Sequence, residues 1–217
     1  MSKTKDVRAA VEKELGFDPM VDSRDIAIDN IEGYVSLTGT VPSYPQYLEA
    51  AAAARRVVGV KTVDNNLEVV LPERDWRDDV KLTTAANNVL ADNITVPDSV
   101  EAIAEDGNIT LNGTVSYATE RAAAEAAVTG LAGVRNVSND IEISYVLDPV
   151  DVDLHVQQAL ERSALVPDGS DVTADTEDGI ITLTGHVRNW AEHDAVLVAA
   201  AMARGVIDVR DNLQVTG

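Results

Sequence analysis

A nine-residue stretch occurs three times in this chain, and its recurrence limits what the chain can fold into more than any other feature. The copies are Gly33-Tyr34-Val35-Ser36-Leu37-Thr38-Gly39-Thr40-Val41, Gly107-Asn108-Ile109-Thr110-Leu111-Asn112-Gly113-Thr114-Val115 and Gly179-Ile180-Ile181-Thr182-Leu183-Thr184-Gly185-His186-Val187. Twenty residues past the second glycine of each copy stands another Gly-Val, at Gly59, Gly133 and Gly205. A repeat of 74 and then 72 residues within 217 overrides the one or two domains that length alone would suggest, and gives three small ones. The expected bounds are 3–71, 77–145 and 149–217. A unit of this size buries only roughly 60% of its unfolded surface, so its core is thin and contact with a neighbouring unit helps to hold it.

Within each unit the hydrophobic period changes in the same order. An amphipathic segment opens the first (Val7, Ala10, Val11, Leu15) and the third (Val152, Val156, Ala159, Leu160), with the spacing of a helix packed on one side. The second unit carries Val80, Ala86, Val89 and Leu90, but Thr83, Thr84, Asn87 and Asn88 lower its helix propensity, which marks this helix as mobile or as doing something particular. Proline loops follow, at Asp18-Pro19, Pro97-Asp98 and Pro167-Asp168-Gly169. Then come alternating strands, and Glu32-Gly33, Asp106-Gly107 and Asp178-Gly179 read as hairpin turns because glycine tolerates the positive φ required there.

The recurring stretch is the second strand, with Val35 and Leu37, Ile109 and Leu111, or Ile181 and Leu183 on a buried face and hydroxyl or amide residues on the other. Gly39, Gly113 and Gly185 are expected to end that strand. A second helix follows, opened by the capping boxes Ser43/Gln46 and Asn189/Glu192, with a weaker Tyr117/Glu120 start in the middle unit. Its buried stripe is rich in alanine (Ala50, Ala53, Ala54; Ala124, Ala127; Ala199, Ala200, Ala203), and Gly59, Gly133 and Gly205 fall where a left-handed cap belongs. A third strand carries Val63, Leu67 and Val69, Val137, Ile141 and Ile143, or Val209, Leu213 and Val215. The fold expected is α+β, three tandem α-β-β-α-β units, each with two helices on one face of a three-stranded mixed sheet. The junctions Leu71–Trp76 and Val146–Pro149 are too short for the units to tumble freely.

This pattern resembles the BON domain, named for bacterial osmotic-stress and nodulation proteins. The resemblance rests on an acidic hairpin glycine, Gly-x-[VI]-x-L-x-Gly-x-Val, an alanine-rich helix and Gly-Val-x-x-Val-x-[ND]-x-[LI]-x-[VI], and covers nearly the whole chain. It implies a non-catalytic binding module linked to osmotic or envelope stress, with a phospholipid surface or a protein partner as its ligand; some relatives bind potassium. It carries no catalytic residue or cofactor over to this chain, and it makes Gly33, Gly39, Gly59, Gly107, Gly113, Gly133, Gly179, Gly185 and Gly205 structural.

The chemistry of the remaining residues agrees in class. There is no cysteine, so thiolate metal sites and disulfides are excluded. His155, His186 and His193 show no metal-ligand spacing, although His186 and His193 flank one helix start and could approach each other. The acid-rich stretch Asp168–Gly179 lacks the residue order of a calcium loop and reads as solvated, leaving a weak monovalent cation as the ion it could hold. No nucleophile elbow or phosphate loop occurs. The net charge of −20, with basic residues falling from 8 in the first unit to 4 in the third, repels nucleic acid and anionic lipid. The amide and acid pairs Asn65-Asn66, Asn139-Asp140 and Asp211-Asn212 inside the third strands read either as a site or as a bulge, and their recurrence favours the bulge.

Candidate contact residues are Tyr44, Tyr47, Tyr117 and Trp190 at the starts of the second helices and Trp76 at a junction; at such places aromatics dip into a lipid interface or, more commonly, staple the incoming chain and fill contacts between units. No metal, cofactor or catalytic set is expected. The apolar run Ala195–Ala203 is too short to span a bilayer and no leader-like segment is present, so the expected compartment is the cytoplasm, or the envelope for a chain whose leader has been removed. The alternative to a stress-related binding protein is a soluble, potassium-responsive or scaffold protein.

Overall fold

In the computed structural model, residues 3–144, 154–159, 171–177, 179–203 and 206–216 are described. The first unit runs α1 (Lys3–Phe17), β1 (Ile26–Ile31), β2 (Tyr34–Val41), α2 (Tyr44–Arg55) and β3 (Thr62–Val69). The second runs α3 (Asp79–Ala91), β4 (Glu101–Glu105), β5 (Asn108–Asn112), β6 (Thr114–Val115), α4 (Ala118–Thr129), β7 (Asn136–Asn139) and β8 (Glu142–Ile143). In the third, α5 covers 154–159 and is followed by β9 (Thr173–Glu177), β10 (Ile180–Val187), α6 (Trp190–Ala201) and β11 (Asp208–Val215). The expectations placed on the Val146–Pro149 junction, Val152, Leu160, Pro167–Ser170, Asp178 and Gly205 lie outside the described residues.

Each unit has the mixed three-stranded sheet expected of it. β2 pairs antiparallel with β1 from Ile31↔Tyr34 to Ile26↔Gly39, and parallel with β3 from Tyr34↔Thr62 to Val41↔Val69. β10 sits in the same way between β9 and β11. In the second unit the ladder is written in two pieces, β4-β5-β7 and β6-β8, because it is interrupted around Gly113 and Asp140. The amides of Asp140 and Glu142 still donate to the Leu111 and Gly113 carbonyls, at 2.9 and 3.0 Å, so the pairing runs through the gap.

The two helices cover one face. Val11 and Leu15 of α1 and Ala50, Ala53 and Ala54 of α2 are sealed against Val35, Leu37 and Val41 of the central strand. Alanine in α2 removes bulk between helix and sheet, so the helix lies close and the core stays dense. The opposite sheet face is open: Thr62, Asp64, Asn66 and Glu68 of β3 alternate with the inward row and are exposed. Buried apolar residues of the first and second units form one continuous cluster, and those of the third form another.

Several local expectations need correction. Gly39 and Gly185 lie within strands that run on to Val41 and Val187; in the second unit the strand does break at Gly113. They are glycine because the chain entering the sheet crosses over them: a Cβ on Gly39 would strike the Asp25 carbonyl, and φ there is +116°. Gly59 and Gly133 come later than a cap. α2 is already closed by the Arg56 amide on Ala52 and Ala53, and Gly59 makes the next turn at φ +92°. Its carbonyl faces Gly33, where a Cβ would come within 2.7 Å of it. The hairpin turns place Glu32 and Asp106 at positive φ ahead of their glycines, the double left-handed geometry of a type I′ turn.

The Ser43/Gln46 capping box does not form, because Gln46 turns away and accepts from the Asp22 amide at 2.7 Å. Asn189 does cap α6 through the Glu192 amide. The middle helix start, weak by sequence, is held by Glu120, whose carboxylate accepts from the Ser116 and Tyr117 amides at 2.8 and 3.1 Å. The bulge expected at the third-strand pairs is absent in β3 and β11, which pair residue for residue with the central strand. Asn65 instead occupies the inward row, where its amide donates to the Tyr47 carbonyl of α2 at 2.8 Å, and Asn139 reaches the Arg121 carbonyl of α4 at 3.2 Å.

Candidate functional site

The first residue of each second helix is the point at which one unit meets the next. Ser43 is extended (φ −159°, ψ 156°), which turns Tyr44 out of its own unit at the first helical position. Tyr44 is nonetheless only 6% exposed, because it lies against the second unit. Burial pushes its hydroxyl pKa up and the nearby Glu125 carboxylate adds to the rise, while a hydrogen bond with the Val137 backbone opposes it. Its ring stacks on Tyr47 at 5.7 Å between centroids, and the Tyr47 hydroxyl donates to the Asn65 carbonyl. A groove of about 380 Å³ lies beside this pair, bordered by Leu67, Glu68, Asn108 and Arg135.

Trp190 holds the same position in the third unit, and it returns to the first. Its indole Nε1 donates to the Val60 carbonyl at 3.2 Å, and the Arg55 guanidinium lies 5.1 Å from the ring centroid, within cation–π range. His193, one turn on, meets the indole edge-on at 4.6 Å and is nearly buried. Its Nε2 is 2.8 Å from an Asp211 carboxylate oxygen and its Nδ1 is 3.2 Å from Asp194. Glu192, also buried, accepts from the amide and Nε of Arg188. His186 is paired separately, at 2.8 Å from Asp171, whose carboxyl pKa is lowered chiefly by that hydrogen bond. The two histidines therefore serve different carboxylates.

At the remaining joint, between the second and third units, the equivalent residue is Ala118. A recess of about 230 Å³ opens there, lined by Ala118 and Ala122 on one side and by Ala201, Val206, Ile207 and Val209 on the other. The three units face one another in a circuit: first on second, second across this recess from third, third on first.

Of the aromatic residues singled out by sequence, Tyr44, Tyr47 and Trp190 are thus turned into or beside joints. Trp76 is 63% exposed, over a small hollow shared with Arg77, Asp79 and Arg135, and Tyr117 is 42% exposed. Sequence reasoning missed Arg55, Val60 and Val137 as the seats for these rings. The signal available was the aligned column Tyr44, Ala118 and Trp190, in which one member is small. Among the described residues, no group of three or more histidine and carboxylate side chains converges as a metal site would, and no helix is long and apolar enough to cross a membrane.

Comparison with known proteins agrees with this architecture. The BON domain matches three times, over residues 3–70, 78–145 and 151–217. The chain belongs to the BON domain family. It is 30% identical over 127 residues to the Osmotically-inducible protein Y of Escherichia coli (strain K12), an alignment that spans 56% of this chain and 63% of that protein. The match thus falls short of two thirds of the relative's length. Two solved structures of CdsD, a structural protein of the type III secretion system of Chlamydia trachomatis, align over 98% and 96% of this chain and 98% and 91% of their own. They are 18% and 17% identical, with TM-scores of 0.27 and 0.26, too distant to bear on the arrangement of BON units described here.

Proposed function

We propose that this BON protein is a non-catalytic binding protein of the osmotic or envelope stress response, and that its open sheet faces bind a partner protein with a basic surface. One observation carries the reading. Every unit spends one sheet face on its helices and leaves the other bare and acidic, with Asp29, Asp64 and Glu68 exposed in the first, Glu101 and Glu105 in the second, and Asp175, Glu177 and Asp208 in the third. Complementary charge on a partner would steer association to these faces, whereas an anionic lipid headgroup would be repelled. Two of the candidate aromatics, Tyr44 and Trp190, are engaged at joints and so withdrawn from a lipid interface, which favours a protein over a phospholipid surface. The similarity to a protein named for osmotic induction supports the stress context.

A photo-crosslinking residue in place of Asn66, on the open face, should give a defined protein adduct in cells grown at high osmolarity. Flotation with zwitterionic or anionic vesicles in low salt should leave the protein at the bottom of the gradient. Absence of any adduct, or flotation with either vesicle, would overturn the proposal. The charge of −20 supports a second reading, a potassium-responsive protein. Unfolding curves that coincide in potassium and sodium at equal ionic strength would remove it.

A further inference from the structure

We propose that the joint between the second and third units is a binding site for a small neutral aromatic molecule, the size of an indole or a phenol, which takes the seat that Tyr44 and Trp190 fill at the other two joints. The argument is internal to the chain and does not depend on what the open sheet faces bind.

The joints draw on the same stretch of the repeat, from the end of the second helix into the third strand, and two of them show what fits. Val60 offers its carbonyl to the indole of Trp190, and its counterpart in the third unit, Val206, lines the recess. Val137 offers its backbone to the hydroxyl of Tyr44; its counterpart Val209 lines the recess too, with its amide donating to the Asp208 carboxylate at 3.0 Å. Arg55, which lies over the Trp190 ring, is matched by Ala201, also in the lining. Residues from the positions that meet a ring elsewhere in this molecule thus line the recess, with alanine where Arg55 stands in the first unit. Opposite them stands Ala118, a methyl group where the sister joints carry a phenol and an indole.

The size and chemistry of the recess agree. A volume of about 230 Å³ is several times the roughly 30 Å³ share of one water, and it falls below the roughly 300 Å³ at which pockets for drug-sized ligands begin. A single or fused ring suits it. The polar groups at its rim are Arg121, Glu125, Asn139 and Asp208. Arg121 is already directed to the Asn139 carbonyl, and the Glu125 carboxylate accepts from the Asn139 amide at 3.0 Å. With two carboxylates to one guanidinium, the rim favours a neutral ring bearing a donor, such as an indole N–H or a phenol O–H, over an aromatic acid.

The experiment is a calorimetric and NMR titration of the full chain with indole, p-cresol, cyclohexanol and indole-3-acetate. Indole and p-cresol should bind saturably and shift the methyl signals of Val206 and Val209. Cyclohexanol and indole-3-acetate should bind at least about tenfold more weakly. Ala118→Trp should raise the melting temperature and cost at least about tenfold in indole affinity. Ala201→Met, which fills the recess from the other side, should do the same for affinity and decides the matter should the first variant fail to fold. Lack of saturable binding of either ring, equal binding of cyclohexanol, or unchanged affinity in the filled variants would overturn the proposal.

Discussion

Gly39 occupies the middle of a strand with φ of +116°, and the Asp25 carbonyl occupies the space where a side chain would begin. Gly185 has the same surroundings, with φ of +131° and Asp171 above it. Both the strain and the clash act on any substitution, so Gly39→Ala should lower stability by about 3 kcal/mol or more, measured as the shift of the urea midpoint at unchanged slope. The spacing of these glycines was plain in the sequence, but their reason was not. The carbonyl that forbids a Cβ lies 14 residues upstream, and only the folded crossing brings it there. Tyr44 carries a pH dependence. Its hydroxyl pKa is raised in the fold above the ordinary 10.0, so the stability that its neutral form contributes is complete below 10.0 and is lost as pH rises beyond it. The difference in melting temperature between the wild type and Tyr44→Phe should stay constant up to that pH and then shift against the wild type.

Helix α3 explains why its unit tolerates so many poor helix formers. Asp79, Thr83 and Asn87 recur every four residues and form a stripe along the free edge of β4. Asn87 accepts from the Ala102 amide at 3.0 Å and donates to the Ala102 carbonyl at 2.8 Å. Thr83 accepts from the Ala104 amide, and Asp79 accepts from the amides of Asp106 and Gly107. The stripe pairs backbone groups that an edge strand would otherwise present to another molecule. Asn87→Ala should cost about 2 kcal/mol, and hydrogen exchange at Ala102 should rise selectively, with Ala104 protection kept by Thr83. The spacing was visible but was read through propensity alone. An edge partner is a tertiary fact, and propensity says nothing about it. Asn65 and Asn139 were opaque for a related reason: an amide in an inward-facing row looks like a broken strand until the helix carbonyl above it is known. The elements themselves were legible almost throughout, because their glycines, apolar alternation and alanine stripes are local signals repeated three times.

At the scale of the molecule, the joints were the least legible part. A large residue at a helix start serves equally well as a local staple, and nothing local says that Trp190 reaches back to Val60. With its indole hydrogen-bonded and stacked under Arg55 but its ring only partly covered, Trp190→Ala should cost about 1–2 kcal/mol. Calorimetry should then show the third unit melting as a separate, earlier transition. Such a split is expected here and not between the first two units, whose buried apolar residues form a single cluster. The return of the last unit onto the first has a consequence for copy number. It is a ring of three written on a single polypeptide, so three is its natural count: a fourth copy would find each unit already flanked by two others, and a chain of two would leave one helix start and one strand without a counterpart unless a second molecule supplied them.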